Sequence, residues 1–175
     1  MSIALPPLRI PRVLLDPTDP HLRPDADGLV RVQLEVVEGR IAAIRPLNAP
    51  AEAGGSPPAP LALTPLVEAH AHLDKAYTVE AFPNRRGTIA GALEANLREI
   101  AQRRPEHVEA RAGRALERAW RNGLRAIRSH VDTLGPCGLG SWEVLEHLAH
   151  RWADRLELQR VALVPLGHWR TGEGE

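Results

Sequence analysis

The uneven distribution of proline is the strongest constraint that the sequence places on the fold. Of the 16 prolines, 12 lie within the first 65 residues. Proline has no backbone N–H and clashes with the preceding helical turn, so this segment cannot form long helices. We therefore expect β-structure in this part of the chain and helices only farther along.

The first segment has the alternating pattern of a small antiparallel sheet. Apolar residues alternate with polar ones over Val30–Val36, and Glu38-Gly39 suits a tight turn before a returning strand at Arg40–Ile44. Leu8–Leu15 is a candidate third strand. We predict that residues 1–60 form a small β-meander or sandwich segment followed by a linker rich in Ala, Gly and Pro.

The remaining sequence, residues 61–175, alternates strand patterns with amphipathic helical patterns. The predicted elements are a buried strand ending at His70, helices over Thr88–Arg104 and Pro105–Gly123, a strand at Leu124–Val131, a helix capped by Ser141, and a strand at Leu156–Leu166. The residues expected to face the core are Ile89, Leu93, Leu97 and Ile100 of the first helix, Val108, Ala112, Ala115, Leu116, Ala119 and Trp120 of the second, and Val161, Leu163 and Pro165 of the last strand. This order predicts an α/β fold with parallel strands joined by helical crossovers.

Two histidines lie at the end of the first of these strands. Side chains two residues apart on a strand point to the same face, so His70 and His72 are expected to project together. Neutral imidazole nitrogens are suitable ligands for Zn and Fe. A His-x-His tripeptide also arises by chance in a chain with 8 histidines, but this one follows an apolar run and precedes a loop. We predict that the pair binds one divalent metal.

His130 and Asp132 end the second predicted strand in the same way. Functional groups gather at the carboxyl ends of strands in parallel α/β barrels, so His72, Asp74, His130 and Asp132 are expected at one rim. Asp74, Asp132 and His130 are therefore candidate catalytic residues. The alternative is that His130 and Asp132 form only a polar strand terminus that caps the next loop.

Other histidines and the single cysteine carry weaker signals. His147 and His150 share one helix face, and the charged residues around them favour a solvated surface. His107 and Cys137 do not form the zinc deaminase signature of the cytidine type, which requires a second cysteine three residues on. Cys137 is interpreted as a loop thiol.

Composition excludes several classes of protein. Basic and acidic side chains balance at 22 each, which gives no indication of nucleic acid or anionic membrane as a partner. One cysteine cannot form an intrachain disulfide. The first residues do not have the order of a signal peptide, and no apolar run has the length of a membrane span. We expect a cytoplasmic protein.

The motifs resemble those of a known family. Leu66–Lys75 is similar to the first-strand motif of the metal-dependent amidohydrolase superfamily, most of all to its cytosine deaminase-like branch. Further segments resemble that branch in the same order, and they are Glu38–Ile41, Gly87-Thr88, Ala119–Gly123 and Arg128–Asp132. The resemblance implies that residues 61–175 are the N-terminal part of a (β/α)₈ TIM-type barrel, with about three βα units. It also implies that His70 and His72 bind the catalytic Zn or Fe.

The resemblance implies a hydrolase of non-peptide C–N bonds acting on a small heterocyclic amine or amide. The family's other ligands, a His from the fifth strand and an Asp from the eighth, have no counterpart here. We therefore expect a truncated or split form, completed by a C-terminal half or by a second copy of the chain. The cytosine deaminases also hold the pyrimidine with a Gln after the third strand, and Val164–Trp169 contains none. The alternative is a non-catalytic remnant or interaction module that lacks a complete metal site.

Overall fold

The computed structural model describes residues 2–47 and 58–170, which belong to two compact units. The first unit is Met1–Thr64 and the second is Pro65–Glu175. Each unit has a separate hydrophobic core. Most of the linker predicted at residues 49–60 lies outside the described residues.

The first unit is an antiparallel sheet built around one long strand. Its strands are β1 (Ser2–Ala4), β2 (Leu8–Pro11), β3 (Leu29–Val37) and β4 (Arg40–Pro46). One edge of β3 pairs with β1 and β2, and the other edge pairs with β4. Val30, Val32 and Leu34 are buried, as their alternation predicts. The predicted pairing of β2, β3 and β4 is present, whereas β1 has no counterpart in the sequence prediction.

The strand predicted at Leu8–Leu15 is shorter than expected. It ends at Pro11, and Arg12–Leu14 forms a 3-10 turn instead. Pro11 has no N–H for a sheet ladder. The Arg12 guanidinium donates hydrogen bonds to the carbonyls of Asp16 (2.8 Å) and Pro17 (3.0 Å), which stabilises the turn. The prediction was wrong because it did not include this interaction between a side chain and the backbone.

The second unit is a parallel α/β structure, so the α/β part of the predicted fold class is confirmed. Its elements are β5 (Leu66–Ala71), α1 (Ile89–Ile100), α2 (Pro105–Arg121), β6 (Leu124–Asp132), α3 (Gly138–Trp152) and β7 (Glu157–Leu163). β6 lies between β5 and β7 and is parallel to both. Over residues 2–47 and 58–170, none of the helices has the length and apolar character needed to cross a membrane.

The core of the second unit lies between the sheet and helices α2 and α3. Its fully buried members include Ala112 and Leu116 of α2, Val131 of β6, and Leu145 and Leu148 of α3. The predicted apolar face of α2 is therefore confirmed except at Trp120, which is 44% exposed near the end of the helix. Pro105 occupies the first turn of α2. This packing holds the carboxyl ends of the strands in a defined arrangement.

Helix α3 begins earlier than predicted. Cys137 is its N-cap residue, and Ser141 lies inside the first turn, where its hydroxyl donates to the Cys137 carbonyl at 2.7 Å. A serine hydroxyl that donates to the carbonyl four residues earlier already has its hydrogen-bond partner within the helix, so it does not cap the helix N-terminus. The proposed cap at Ser141 is therefore wrong.

The apolar stripe predicted for the core on α1 is largely exposed. Ile89, Leu93 and Leu97 are 84%, 60% and 66% exposed, whereas Ala95 and Glu99 are buried. The helix turns its small and charged side chains inward because Glu99 forms buried ion pairs there. The stripe prediction was wrong because amphipathic spacing identifies an apolar face but not what that face contacts.

Two strand predictions also need correction. β5 was expected to be buried, but among the described residues it is an edge strand with Leu66 and Val67 exposed. On β7, Val161 and Leu163 are partly exposed, and Leu158 faces the core instead. Alternate side chains of a strand face opposite sides of the sheet, and only the side that faces the helices is covered.

We predict different costs for truncating two leucines on different helices. Leu148→Ala should lower the free energy of unfolding by about 2–5 kcal/mol, because it leaves a cavity in the core. Leu93→Ala on the exposed stripe should cost less than about 0.5 kcal/mol. Urea unfolding followed by circular dichroism measures both. An equal loss for the two variants would contradict the placement of α1.

Candidate metal centre

His70 and His72 project from the same face of the sheet at the end of β5. Their Nε2 atoms are 3.3 Å apart. The His70 ring stacks on the His130 ring with 4.0 Å between centroids and 17° between planes. The structure thus brings together three histidines, of which the sequence predicted the first two as a pair and the third at the same rim.

The hydrogen bond of His72 determines which of its nitrogens is free. Its Nδ1 lies 2.8 Å from the backbone carbonyl of His130. A carbonyl oxygen only accepts, so Nδ1 must carry the proton and donate. In the neutral ring the Nε2 lone pair is then available and points toward His70. Metal-bound histidines are oriented by this kind of outer hydrogen bond to a carbonyl.

The separation of the two Nε2 atoms fits a pair of metal ligands. Two nitrogens bound to tetrahedral Zn at 2.0–2.1 Å lie about 3.3–3.4 Å apart. The observed separation of 3.3 Å agrees with this value. Among the described residues, no group of three His, Cys, Asp or Glu side chains is placed to bind a metal. The described chain therefore offers two ligands at this position.

His130 lies beside the pair in a neutral state. Burial lowers its pKa, and the neighbouring His70, His72 and Arg128 lower it further, because each disfavours a positive charge there. An imidazolium beside the pair would repel a bound cation. A neutral His130 is compatible with a metal held by His70 and His72.

Asp132 lies farther along the same rim and is held as a carboxylate. Its Oδ2 accepts from the Lys75 ammonium and from Asn96 Nδ2 at 3.2 Å. Burial by itself would raise the pKa of Asp132, but Lys75, Asn96 and Arg103 hold it below its usual range. Lys75 is the only lysine in the sequence. Near neutral pH, Asp132 is therefore an acceptor.

Asp74 is fully buried beneath the rim. Its Oδ2 accepts from Arg103 Nη1 and from the Asp132 backbone N–H, both at 3.0 Å. The adjacent Leu73 N–H donates to Ser129 Oγ at 3.0 Å. Asp74 thus joins the end of β5 to the end of β6, and its side chain lies away from the open side of the site.

A buried ion network that the sequence analysis missed surrounds Asp74. Arg103 contacts Asp74, Asp132 and Glu99, and Arg111 donates to Glu99 Oε1 at 2.6 Å. Burial lowers the pKa of Arg103, but the bond to Glu99 and the charges of Asp74, Glu99 and Asp132 raise it overall. The available signal was the four-residue spacing of Glu99 and Arg103, which on a helix favours an ion pair.

An open cavity of about 950 Å³ has His72 in its lining. Its polar lining includes His72, Lys75, Asn96 and Asp132. The apolar lining includes Phe82, Ile89, Leu93, Ile100, Leu134 and Leu163. The exposed stripe of α1 thus forms a wall of this cavity. Asp132 is the one member of the three catalytic candidates that lines it.

Comparison with known proteins finds that the chain is similar to part of several deaminases. It is 35% identical over 147 residues to a pterin deaminase of Rhizobium rhizogenes, a match that covers 82% of this chain and 33% of the relative. The structure superposes on 5-methylcytosine deaminase from Klebsiella pneumoniae with a TM-score of 0.68 and 26% identity. The superposition covers 93% of this chain and 36% of the Klebsiella chain. No protein-family model matches the chain.

The resemblance to the amidohydrolase superfamily is confirmed. A second solved structure, N-isopropylammelide isopropylaminohydrolase from Burkholderia multivorans, matches with a TM-score of 0.50 and 24% identity, which supports the fold alone. This amidohydrolase-like chain spans about a third of the length of the relatives that it matches.

The charge of Asp132 leads to a pH-dependent stability. Its pKa is lowered in the folded chain, so its contribution is complete above the unfolded value of about 3.9 and is lost as the pH falls through the folded value. Asp132→Asn should therefore cost about 1–3 kcal/mol of unfolding free energy near neutral pH and less at about pH 3.

Urea unfolding at the two pH values measures this difference. Glu143→Gln, an exposed position on α3, is the control and should have little effect at either pH. A cost of Asp132→Asn that does not change with pH would contradict the prediction.

Proposed function

We propose that the chain supplies the His70 and His72 ligands of a metal-dependent amidohydrolase that removes an amino group from a nitrogen heterocycle. The observation that carries the proposal is the pair of Nε2 atoms 3.3 Å apart at a strand end, with the His72 proton committed to the His130 carbonyl. Its relatives support the reaction class, because they are named as deaminases of pterin and of 5-methylcytosine.

The roles of the residues follow from their contacts. His70 and His72 would hold one Zn or Fe, which when bound would make a water molecule nucleophilic near neutral pH. The His130 carbonyl orients the His72 ring. Asp132 lines the cavity as a carboxylate and is the best placed of the predicted catalytic candidates to accept a hydrogen bond from a substrate. Asp74 is too deeply buried to contact a substrate.

We further propose that β5, β6 and β7 are the first three strands of a (β/α)₈ barrel. The three parallel strands, the helical connections and the likeness to 5-methylcytosine deaminase support this arrangement. The remaining ligands would come from outside the described residues, from a C-terminal segment or from a second copy. In such barrels the carboxyl ends of the strands form the active site, where His70, His72 and Asp132 lie.

The proposed substrate is a small ring with an amino group on a carbon next to a ring nitrogen. Pterin and 5-methylcytosine, for which the relatives are named, share this feature. Cytosine itself is not proposed, because Val164–Trp169 has no Gln to hold a pyrimidine as the cytosine deaminases do.

Metal content tests the ligand pair. The purified chain should bind one divalent ion, and His70→Ala or His72→Ala should abolish binding because a single imidazole holds the ion weakly. His147→Ala, an exposed position on α3, is the control. Elemental analysis after dialysis against Zn or Fe(II) measures the content. If the Nε2 contact is only a hydrogen bond between imidazoles, the wild-type chain will retain no metal and the proposal is wrong.

Ammonia release tests the reaction. The metal-loaded chain should deaminate pterin when it is mixed with the separately expressed C-terminal part of the pterin deaminase relative. His72→Ala should reduce release to background, and His147→Ala should leave it unchanged. If a chain that still binds metal releases no ammonia, either with or without the added part, the result would instead support a non-catalytic module.

A further inference from the structure

We infer that Arg103 is a positioning residue for the pair of proposed ligands, His70 and His72. The catalytic consequence of this role rests on the proposed function. Arg103 follows α1 and precedes α2, and its side chain is only 2% exposed. It touches neither histidine. It acts through the acidic side chains that join the ends of β5 and β6.

One guanidinium reaches three carboxylates. Nη1 donates to Asp74 Oδ2 at 3.0 Å, Nε donates to Glu99 Oε2 at 2.8 Å, and Nη2 reaches Glu99 at 2.5 Å and Asp132 Oδ2 at 3.3 Å. Only a planar group with several donors can make all of these contacts, so a lysine cannot replace it fully. The contacts fix Arg103 relative to two strands and one helix.

The position of His72 depends on this arrangement through two short steps. Arg103 holds the Asp74 carboxylate, and the same Oδ2 accepts the Asp132 N–H. Asp74 is two residues beyond His72, and Asp132 is two residues beyond His130. The Asp74 bond therefore sets the register in which His72 Nδ1 meets the His130 carbonyl at 2.8 Å.

The charges of the network balance only when Arg103 is present. Its cations are Lys75, Arg103 and Arg111, and its anions are Asp74, Glu99 and Asp132. The Oδ2 atoms of Asp74 and Asp132 both contact Arg103. Without Arg103, Lys75 would be the one cation left to balance these two carboxylates. Buried like charges repel each other, so the two strand ends would be pushed apart.

The same network attaches α1 to the site. Glu99 lies in the last turn of α1 and is held by Arg103 and Arg111, whereas the apolar stripe of the helix faces the cavity. Arg103 therefore links the cavity wall to the pair of proposed ligands, which explains why a charged group is buried here.

The test compares four variants of the full chain with two readouts. Arg103→Met removes the guanidinium, Arg103→Lys keeps a charge, and Asp74→Asn combined with Arg103→Met restores the charge balance. Arg121→Met removes an exposed ion pair with Glu117 that has the same four-residue spacing, and it is the matched control. The readouts are Co(II) affinity with its visible spectrum, and the tautomer of His72 in the metal-free chain by ¹⁵N NMR at about pH 8, where histidine is neutral.

A positioning role predicts a specific pattern. Arg103→Met should weaken Co(II) binding about tenfold and populate both tautomers of His72, because outer-sphere contacts orient metal ligands. The Co(II) affinity and the His72 tautomer population of Arg103→Lys should lie between those of wild type and Arg103→Met. The double variant should regain thermal stability without regaining the affinity or the single tautomer. Arg121→Met should match wild type in every readout.

Two outcomes separate this inference from the proposed function. If the wild-type chain binds no Co(II) but Arg103→Met still disturbs the His72 tautomer, the proposed function fails and the positioning role stands. If folded Arg103→Met or the double variant keeps wild-type affinity, spectrum and tautomer, the inference is overturned. Should Arg103→Met fail to fold, the double variant and Arg103→Lys decide by the same criteria.

Discussion

The attachment between the ends of β5 and β6 is the interaction on which the candidate site depends. Three consecutive residues after β5, His72 to Asp74, each form a hydrogen bond with the end of β6. His72 Nδ1 donates to the His130 carbonyl, the Leu73 N–H donates to Ser129 Oγ, and Asp74 Oδ2 accepts from the Asp132 N–H. They come from a side chain, a backbone group and a buried carboxylate. Together they orient His72, bring His130 against His70, and place Asp132 at the cavity.

This attachment explains why buried charge is concentrated under the rim. Buried ion pairs stabilise a fold weakly because desolvation offsets most of the attraction, but a broken pair is costly. A network of this kind therefore favours one arrangement over others that are nearly as compact. Here it selects one relation among β5, β6 and α1.

The parts of the fold that local patterns define were predictable. The alternation over Val30–Val36, the turn at Glu38-Gly39 and the apolar face of α2 each report a periodicity that the backbone itself imposes. The stripe on α1 has equally good spacing, yet it lines a cavity. Periodicity identifies an apolar face, but the contact of that face depends on elements distant in sequence. Likewise, the spacing of Glu99 and Arg103 favours an ion pair but does not indicate whether that pair is buried.

By itself, the sequence determined the class of the protein: an antiparallel β-segment, then parallel strands alternating with helices, with His70 and His72 on one face of a strand end. These properties follow from proline placement, from side-chain period and from a motif shared with amidohydrolases. Only the tertiary structure decided which nitrogen of His72 is free, that Asp74 lies beneath the rim while Asp132 lies at the cavity, and that Arg103 joins them. The reason is physical: tautomer, burial and ion pairing depend on distances between residues 29 to 58 positions apart, such as Arg103 with Asp74 and His72 with His130.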